Sequence, residues 1–248
     1  GLDVTLLHLA PWLMERQLDR EAGAVLRARI EGLGIRVLLE ASTDRILGDG
    51  RARALRLKDG REIPAGLVVM AVGVRPETAL ARGAGLECGR GILVDDTLTT
   101  SDQDIAAIGE CAEHRSLVYG LVLPAYEQAE VLARRLAGDT GAHYEGSVTY
   151  TSLKVSGVPV FSAGEVADEA PGEALLFRDP RHGIYKRLLL RDDRLVGAVL
   201  VGEVSDGSWY ADLIRAGRDV APMRGLIAFG RAFAEPALDG AGALDLAA

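Results

Sequence analysis

The sequence predicts an α/β chain that closes in an antiparallel α+β unit, and three observations carry that prediction. The first forty residues read strand, capped helix, strand, the pattern of a parallel crossover. Between Ile92 and Ala112 two short apolar runs flank a turn crowded with Thr, Ser and Asp, and the second run ends on Gly109-Glu110. Beyond Gly146, strand-like runs separated by short turns lead into a helix.

Residues 3–8 alternate as a strand. Asp19 can cap a helix in which Ala22, Val25, Leu26, Ile30 and Leu33 keep helical spacing, and Gly34 supplies the stop. Residues 35–40 read as a second strand, parallel to the first. Short strands follow at 44–47, 53–58 and 61–63, with Asp59-Gly60 as the hairpin turn between the last two. The continuous apolar run 67–72 reads as a buried strand ending at Gly73. That glycine either lets backbone approach a ligand or serves as an ordinary strand-to-turn residue.

A short helix over 80–86 leads into the Thr-rich segment. There a carboxylate, Glu110, is expected to meet hydroxyls at a strand tip, chemistry suited to a sugar or ribityl chain. Pro124 stands just before a helix over 126–136, where its fixed φ and missing donor suit a first turn. The antiparallel set spans 148–156, 160–164, 174–178, 184–191 and 195–202, with Asp192-Asp193 at one turn. Asp206 can cap a helix through Trp209, Leu213 and Ile214. Residues 231–248, rich in Ala, Gly, Asp and Leu, read as a tail or linker.

Composition excludes several classes. With 248 residues and 48% hydrophobic content the chain can bury a sizeable core. Its 36 acidic and 28 basic residues give a net charge of −8 with no basic stripe, so nucleic acid is not an expected partner. Cys88 and Cys111 stand far apart without a CxxC, which offers neither a disulfide framework nor a thiolate metal site. Redox chemistry would therefore use a cofactor other than cysteine. No apolar run approaches the roughly 20 residues that cross a bilayer, and no charged and apolar leader opens the sequence. No membrane association and a cytoplasmic location are the expectations.

The segment 92–112 resembles the second flavin-binding motif of the FAD- and NAD(P)-dependent pyridine-nucleotide oxidoreductases. The resemblance implies that Gly109 and Glu110 face the ribityl chain of FAD, although most members carry Asp where this chain has Glu110. Glu110-Cys111-Ala112-Glu113-His114, together with 154–158 and 199–203, is similar to the branch containing the large subunit of NAD(P)H nitrite reductase. By the same resemblance Leu123, Pro124 and Ala125 bring a helix N-terminus to the pyrimidine end of the flavin, and Gly73 lets backbone approach the dinucleotide. His8 would stand where an acid often binds the adenosine ribose of NAD; by its own pattern it is a polar strand end.

The implied organisation is a C-terminal portion of an NAD(P)-binding domain over 1–72 and a C-terminal portion of an FAD-binding domain over 73–146, both remnants of Rossmann-like domains. An α+β interface or dimerisation domain over 147–230 and the tail follow. The implied activity is an NAD(P)H-dependent FAD oxidoreductase that passes hydride from NAD(P)H to FAD and electrons onward to a metal centre elsewhere. No side chain is expected as catalytic acid or base, and no residue as a metal ligand. Sirohaem and iron–sulfur centres would lie outside these residues, with an electron-acceptor domain or protein as partner and a homodimer as a possible assembly. Alternatives are the electron-transfer subunit of a nitrate reductase, a rubredoxin- or ferredoxin-reductase-like flavoprotein, or a non-catalytic interaction module.

No GxGxxG occurs in the sequence, although a dinucleotide fold uses such a turn to bring backbone N–H groups to the pyrophosphate. The expectation is a piece of a longer polypeptide, inactive by itself. The 248 residues alone should then bind FAD and NAD(P)H several powers of ten more weakly than a complete site, since each missing charge-assisted bond removes about 1.5–3 kcal/mol. Calorimetric titration of FAD into the purified chain checks this, and saturable micromolar binding would contradict it.

Overall fold

A computed structural model describes residues 1–148 and 150–238, which divide into two compact units. One is formed by Gly1–Val68 with the chain from Tyr150 onward, the other by Val69–Thr149. In the first, strand β1 (Thr5–Leu7) leads through helix α1 (Arg20–Gly32) to strand β2 (Arg36–Leu38), which pairs with β1 in parallel. Asp19 caps α1 by accepting the Ala22 N–H at 2.9 Å. Glu21 in the first turn and Arg29 in the last suit the helix dipole. Strands β3 (Thr43–Gly48), β4 (Ala52–Leu57) and β5 (Glu62–Pro64) form an antiparallel meander whose last turn has Gly60 at φ 91°.

The run 67–72 is not a strand. Leu67, Val69, Met70 and Val72 are 75, 79, 71 and 84% exposed, and the backbone there has no regular structure. An apolar run becomes a strand only when a neighbour accepts and donates its backbone hydrogen bonds. Among the described strands none pairs with it.

The second unit holds helix α2 (Ala79–Gly83), strand β6 (Ile92–Val94), a 3-10 turn at Gly109–Cys111, strand β7 (Ala112–His114) and helix α3 (Val122–Leu136). The second apolar run before Gly109 makes only an isolated bridge, Thr99 to Ala106, while β6 pairs in parallel with β7. Asp95 folds the loop on itself, its Oδ1 accepting from the Thr97 N–H, the Thr97 hydroxyl and the Thr99 N–H at 2.8, 2.6 and 3.0 Å. Such local bonds compete with a ladder. Helix α3 starts at Val122 rather than 126, so Pro124 lies inside its first turn, where no intrahelical donor is lost.

After Tyr150 the first unit continues with strands β8 (Tyr150–Val155), β9 (Val158–Gly164), β10 (Glu173–Asp179), β11 (Ile184–Arg191) and β12 (Arg194–Val201), then helices α4 (Gly207–Ala216) and α5 (Arg231–Leu238). The sheet order is β10-β11-β12-β9-β8, antiparallel throughout. Asp192 and Asp193, at φ 49° and 56°, make the left-handed two-residue turn that matches strand twist. Phe161, Leu188, Ala198 and Leu200 pack with Tyr210 of α4, Met223 and Ile227. The alternate residues Val160, Tyr185, Val199 and Val201 pack with Leu26 and Ile30 of α1. Both faces are covered, which is why β12 reads as a near-continuous apolar run rather than an alternating one. A fully buried leucine in such a layer contributes about 1.5–3 kcal/mol.

Two expectations about the C-terminus change. Residues 231–238 form α5 with Ala234 buried in the core, because a small side chain allows close approach; the remainder of the expected tail, 239–248, lies outside the described residues. Asp206 occupies the N-cap position of α4 without capping it, and its Oδ1 instead accepts from the Arg231 N–H at 3.2 Å, at the start of α5. Among the described residues no helix is long and apolar enough to cross a membrane.

Asp19 also ties α1 to β11, since Tyr185 donates its hydroxyl to Asp19 Oδ1 at 3.1 Å, while Oδ2 is buried without a partner. Burial raises the Asp19 pKa above its ordinary 3.8, with the Ala22 and Tyr185 bonds opposing. A raised folded-state pKa means stability that is full below 3.8 and is lost as pH rises through the folded value. Asp19→Asn keeps the acceptor and should flatten that pH dependence, whereas Asp19→Ala should cost about 1 kcal/mol through the lost cap. Urea unfolding from about pH 4 to about pH 7 measures both.

Candidate functional site

The second unit brings a left-handed turn against a helix. Gly109, at φ 83°, opens the turn, and its N–H donates to Gln128 Oε1 on α3 at 2.7 Å. A Cβ placed on Gly109 would stand 3.9 Å from the Cβ of Ala125, so turn and helix touch without crowding. Glu110 follows, exposed, and among the described residues its carboxylate has no hydrogen-bond partner. With Leu121, Val122, Ala125, Tyr126 and Ala129 it lines a mainly apolar depression of about 260 Å³. Helix α3 has no side-chain cap at Leu121, which leaves the N–H groups of Val122 and Leu123 without intrahelical acceptors. A free carboxylate, free helix N-terminal donors and apolar walls thus meet in one place. Such a set accepts hydroxyl protons and favours an electron-rich ring edge.

The same unit holds a polar network. Tyr144 is buried, its hydroxyl 2.5 Å from Ser147 Oγ, and Ser147 also donates to Glu127. The Tyr144 ring packs 4.8 Å from His114, whose Nε2 lies 2.8 Å from Asp96 Oδ1. Arg115 grips both oxygens of Asp96, at 2.9 and 2.7 Å. Those bonds from Arg115, then from His114, hold the Asp96 pKa down to about 2. Burial pushes the Tyr144 phenol well above its ordinary range.

Of the residues that sequence reading singled out, Gly109, Glu110 and Ala125 come together at the depression. Leu123 and Pro124 lie in the first turn of α3, Leu123 partly exposed and Pro124 buried. Gly73 lies in the exposed stretch after 67–72, at φ 83° with open space around it. His8 belongs to the other unit, at the end of β1, with Nε2 2.9 Å from a carboxylate oxygen of Glu15. Sequence reading missed Gln128. Its helical spacing was the available signal, a polar residue whose neighbours one turn away, Pro124, Ala125, Val131 and Leu132, are apolar.

The family model for pyridine nucleotide-disulphide oxidoreductases matches residues 1–129. The chain belongs to this family. Its sheet unit matches a second model, the rubredoxin NAD+ reductase C-terminal domain, over residues 150–218. The chain is 49% identical over 89% of its length to a nitrite reductase [NAD(P)H] of Bacillus subtilis (strain 168). It is 39% identical, again over 89%, to the assimilatory nitrate reductase electron transfer subunit of the same organism. It spans 28% and 29% of those two relatives. A ferredoxin reductase from Rhodopseudomonas palustris superposes with a TM-score of 0.74 at 27% identity, over 88% of this chain and 59% of its own. Members of this fold are α/β, and the alternation of helices and sheets described above is of that class.

Gly109→Ala isolates the backbone term, because the cost comes from φ rather than from space. The substitution should destabilise the turn by about 1–2 kcal/mol, the penalty of a left-handed non-glycine residue, read as a lower urea midpoint.

Proposed function

We propose that the Gly109-Glu110 turn and the first turn of α3 hold the ribityl chain and pyrimidine edge of FAD, in a flavoprotein that takes reducing equivalents from NAD(P)H. The observation that carries this reading is the unpartnered Glu110 carboxylate at the rim of an apolar depression beside free helix N–H groups. FAD supplies the ring that accepts hydride from the nicotinamide when both are bound. The residues of this chain bind and orient it. Glu110 accepts from ribityl hydroxyls, the N–H groups of Val122 and Leu123 favour an electron-rich ring, and Leu121, Ala125 and Tyr126 keep water from that edge. Gly73 and His8 are assigned to the NAD(P)H side by the same reading.

Under this proposal residues 1–72 and 73–146 belong to NAD(P)- and FAD-binding domains and 147–230 to an interface domain that supports a homodimer. The partner is an electron acceptor, a domain or a separate protein, with sirohaem and iron–sulfur centres in regions beyond these residues. Identity of 49% to a nitrite reductase favours that acceptor class over the nitrate reductase subunit at 39%.

In the intact flavoprotein, Glu110→Ala should weaken FAD binding by about one to two orders of magnitude, from the loss of charge-assisted bonds worth about 1.5–3 kcal/mol. Glu110→Asp should be milder. Flavin fluorescence titration measures the affinity, and anaerobic bleaching of the visible flavin bands by NADH or NADPH measures the chemistry. An unchanged affinity in Glu110→Ala would remove the assignment.

A further inference from the structure

Gln128 is 1% exposed and lies on α3, between the two alanines that line the depression. Gly109 can only donate through its N–H, so the end of the Gln128 amide that faces it at 2.7 Å is the oxygen. The bond to Gly109 is thus made in one amide orientation only. The turn itself is only Gly109–Cys111, and its other hydrogen bonds stay local: the Ala112 N–H returns to the Gly109 carbonyl, and Cys111 Sγ to the Ile108 carbonyl. Among the described residues, the bond from Gly109 to Gln128 is the hydrogen bond that ties this turn to α3. Glu110 is covalently next to the tied residue and has no partner of its own.

We propose that Gln128 is a positioning residue for the flavin site, its carbonyl oxygen fixing where the Glu110 carboxylate stands relative to the first turn of α3. This rests on the Glu110 reading given above. A buried amide that merely filled the core would affect stability whatever residue occupied position 110. A positioning residue acts through Glu110, so its effect on flavin affinity disappears when Glu110 is gone.

The experiment is a double-mutant cycle on FAD affinity in the intact flavoprotein, using Gln128→Met, which keeps length and removes the acceptor, with Glu110→Ala and the pair. Urea midpoints are recorded alongside. Gln128→Met should weaken FAD binding about tenfold alone and add nothing in the Glu110→Ala background. Equal losses in both backgrounds, or no loss at all, would overturn the proposal. Where Glu110→Ala weakens FAD and Gln128→Met does not, only this inference falls; where Glu110→Ala has no effect, the flavin reading falls and takes this inference with it.

Gln128→Glu retains an acceptor for Gly109 and supplies the control should Gln128→Met fail to fold. In the 248-residue chain the Gly109 amide, followed by hydrogen exchange in NMR spectra, should stay protected in Gln128→Glu. Glutamate should also retain FAD affinity within about threefold in the intact protein. Loss of Gly109 protection in this variant, or loss of flavin affinity with protection intact, would count against the assignment.

Discussion

A sheet that is apolar on both faces has to be covered twice, and much of the first unit follows from that constraint. Along β12, Ala198 and Leu200 point to one layer while Val199 and Val201 point to the other. Helices α4 and α5 with the turns between them close the first layer, and α1, which comes from the opposite end of the sequence, closes the second. Exposing either face would return several large side chains to water at about 1.5–3 kcal/mol each. A buried polar link between the distant segments, Asp19 with Tyr185, accompanies the second layer at the start of α1.

In the other unit the organising contact is polar. A glycine turn donates one N–H to a buried amide, and the same unit holds a polar network of Tyr144, Ser147, Glu127, His114 and Asp96. Buried polar groups are costly when unpaired and stiff when paired, and the free Glu110 carboxylate stands at an apolar depression beside the turn that this bond ties down. The bonds from Arg115 and His114 hold the Asp96 carboxyl well below the usual carboxylate range.

Features written in adjacent residues were legible in the sequence. The Asp19 cap, the Asp59-Gly60 and Asp192-Asp193 turns, Pro124 in a first helical turn and the pairing of Gly109 with an acid are all decided within a few residues, because φ preference and short side-chain bonds act locally. Features that need a distant partner were not. Residues 67–72 have the composition of a buried strand and stay exposed for want of a neighbour, and the run before Gly109 yields its place beside β6 to β7. Asp206 gives its carboxylate to α5 instead of the helix it precedes, and α5 itself is built from residues whose composition reads as a tail.

The sequence by itself determined the α/β class, the antiparallel set of strands after Gly146 and the Gly-acid turn, since periodicity and backbone preference are properties of short stretches. The tertiary structure alone decided that α1 covers the C-terminal sheet, that Gln128 receives the Gly109 N–H and that Glu110 is left unpaired beside the first turn of α3. The first depends on apolar side chains meeting across the sheet, and the others on which polar groups are brought within about 3 Å of one another, and both are fixed by packing between separate elements.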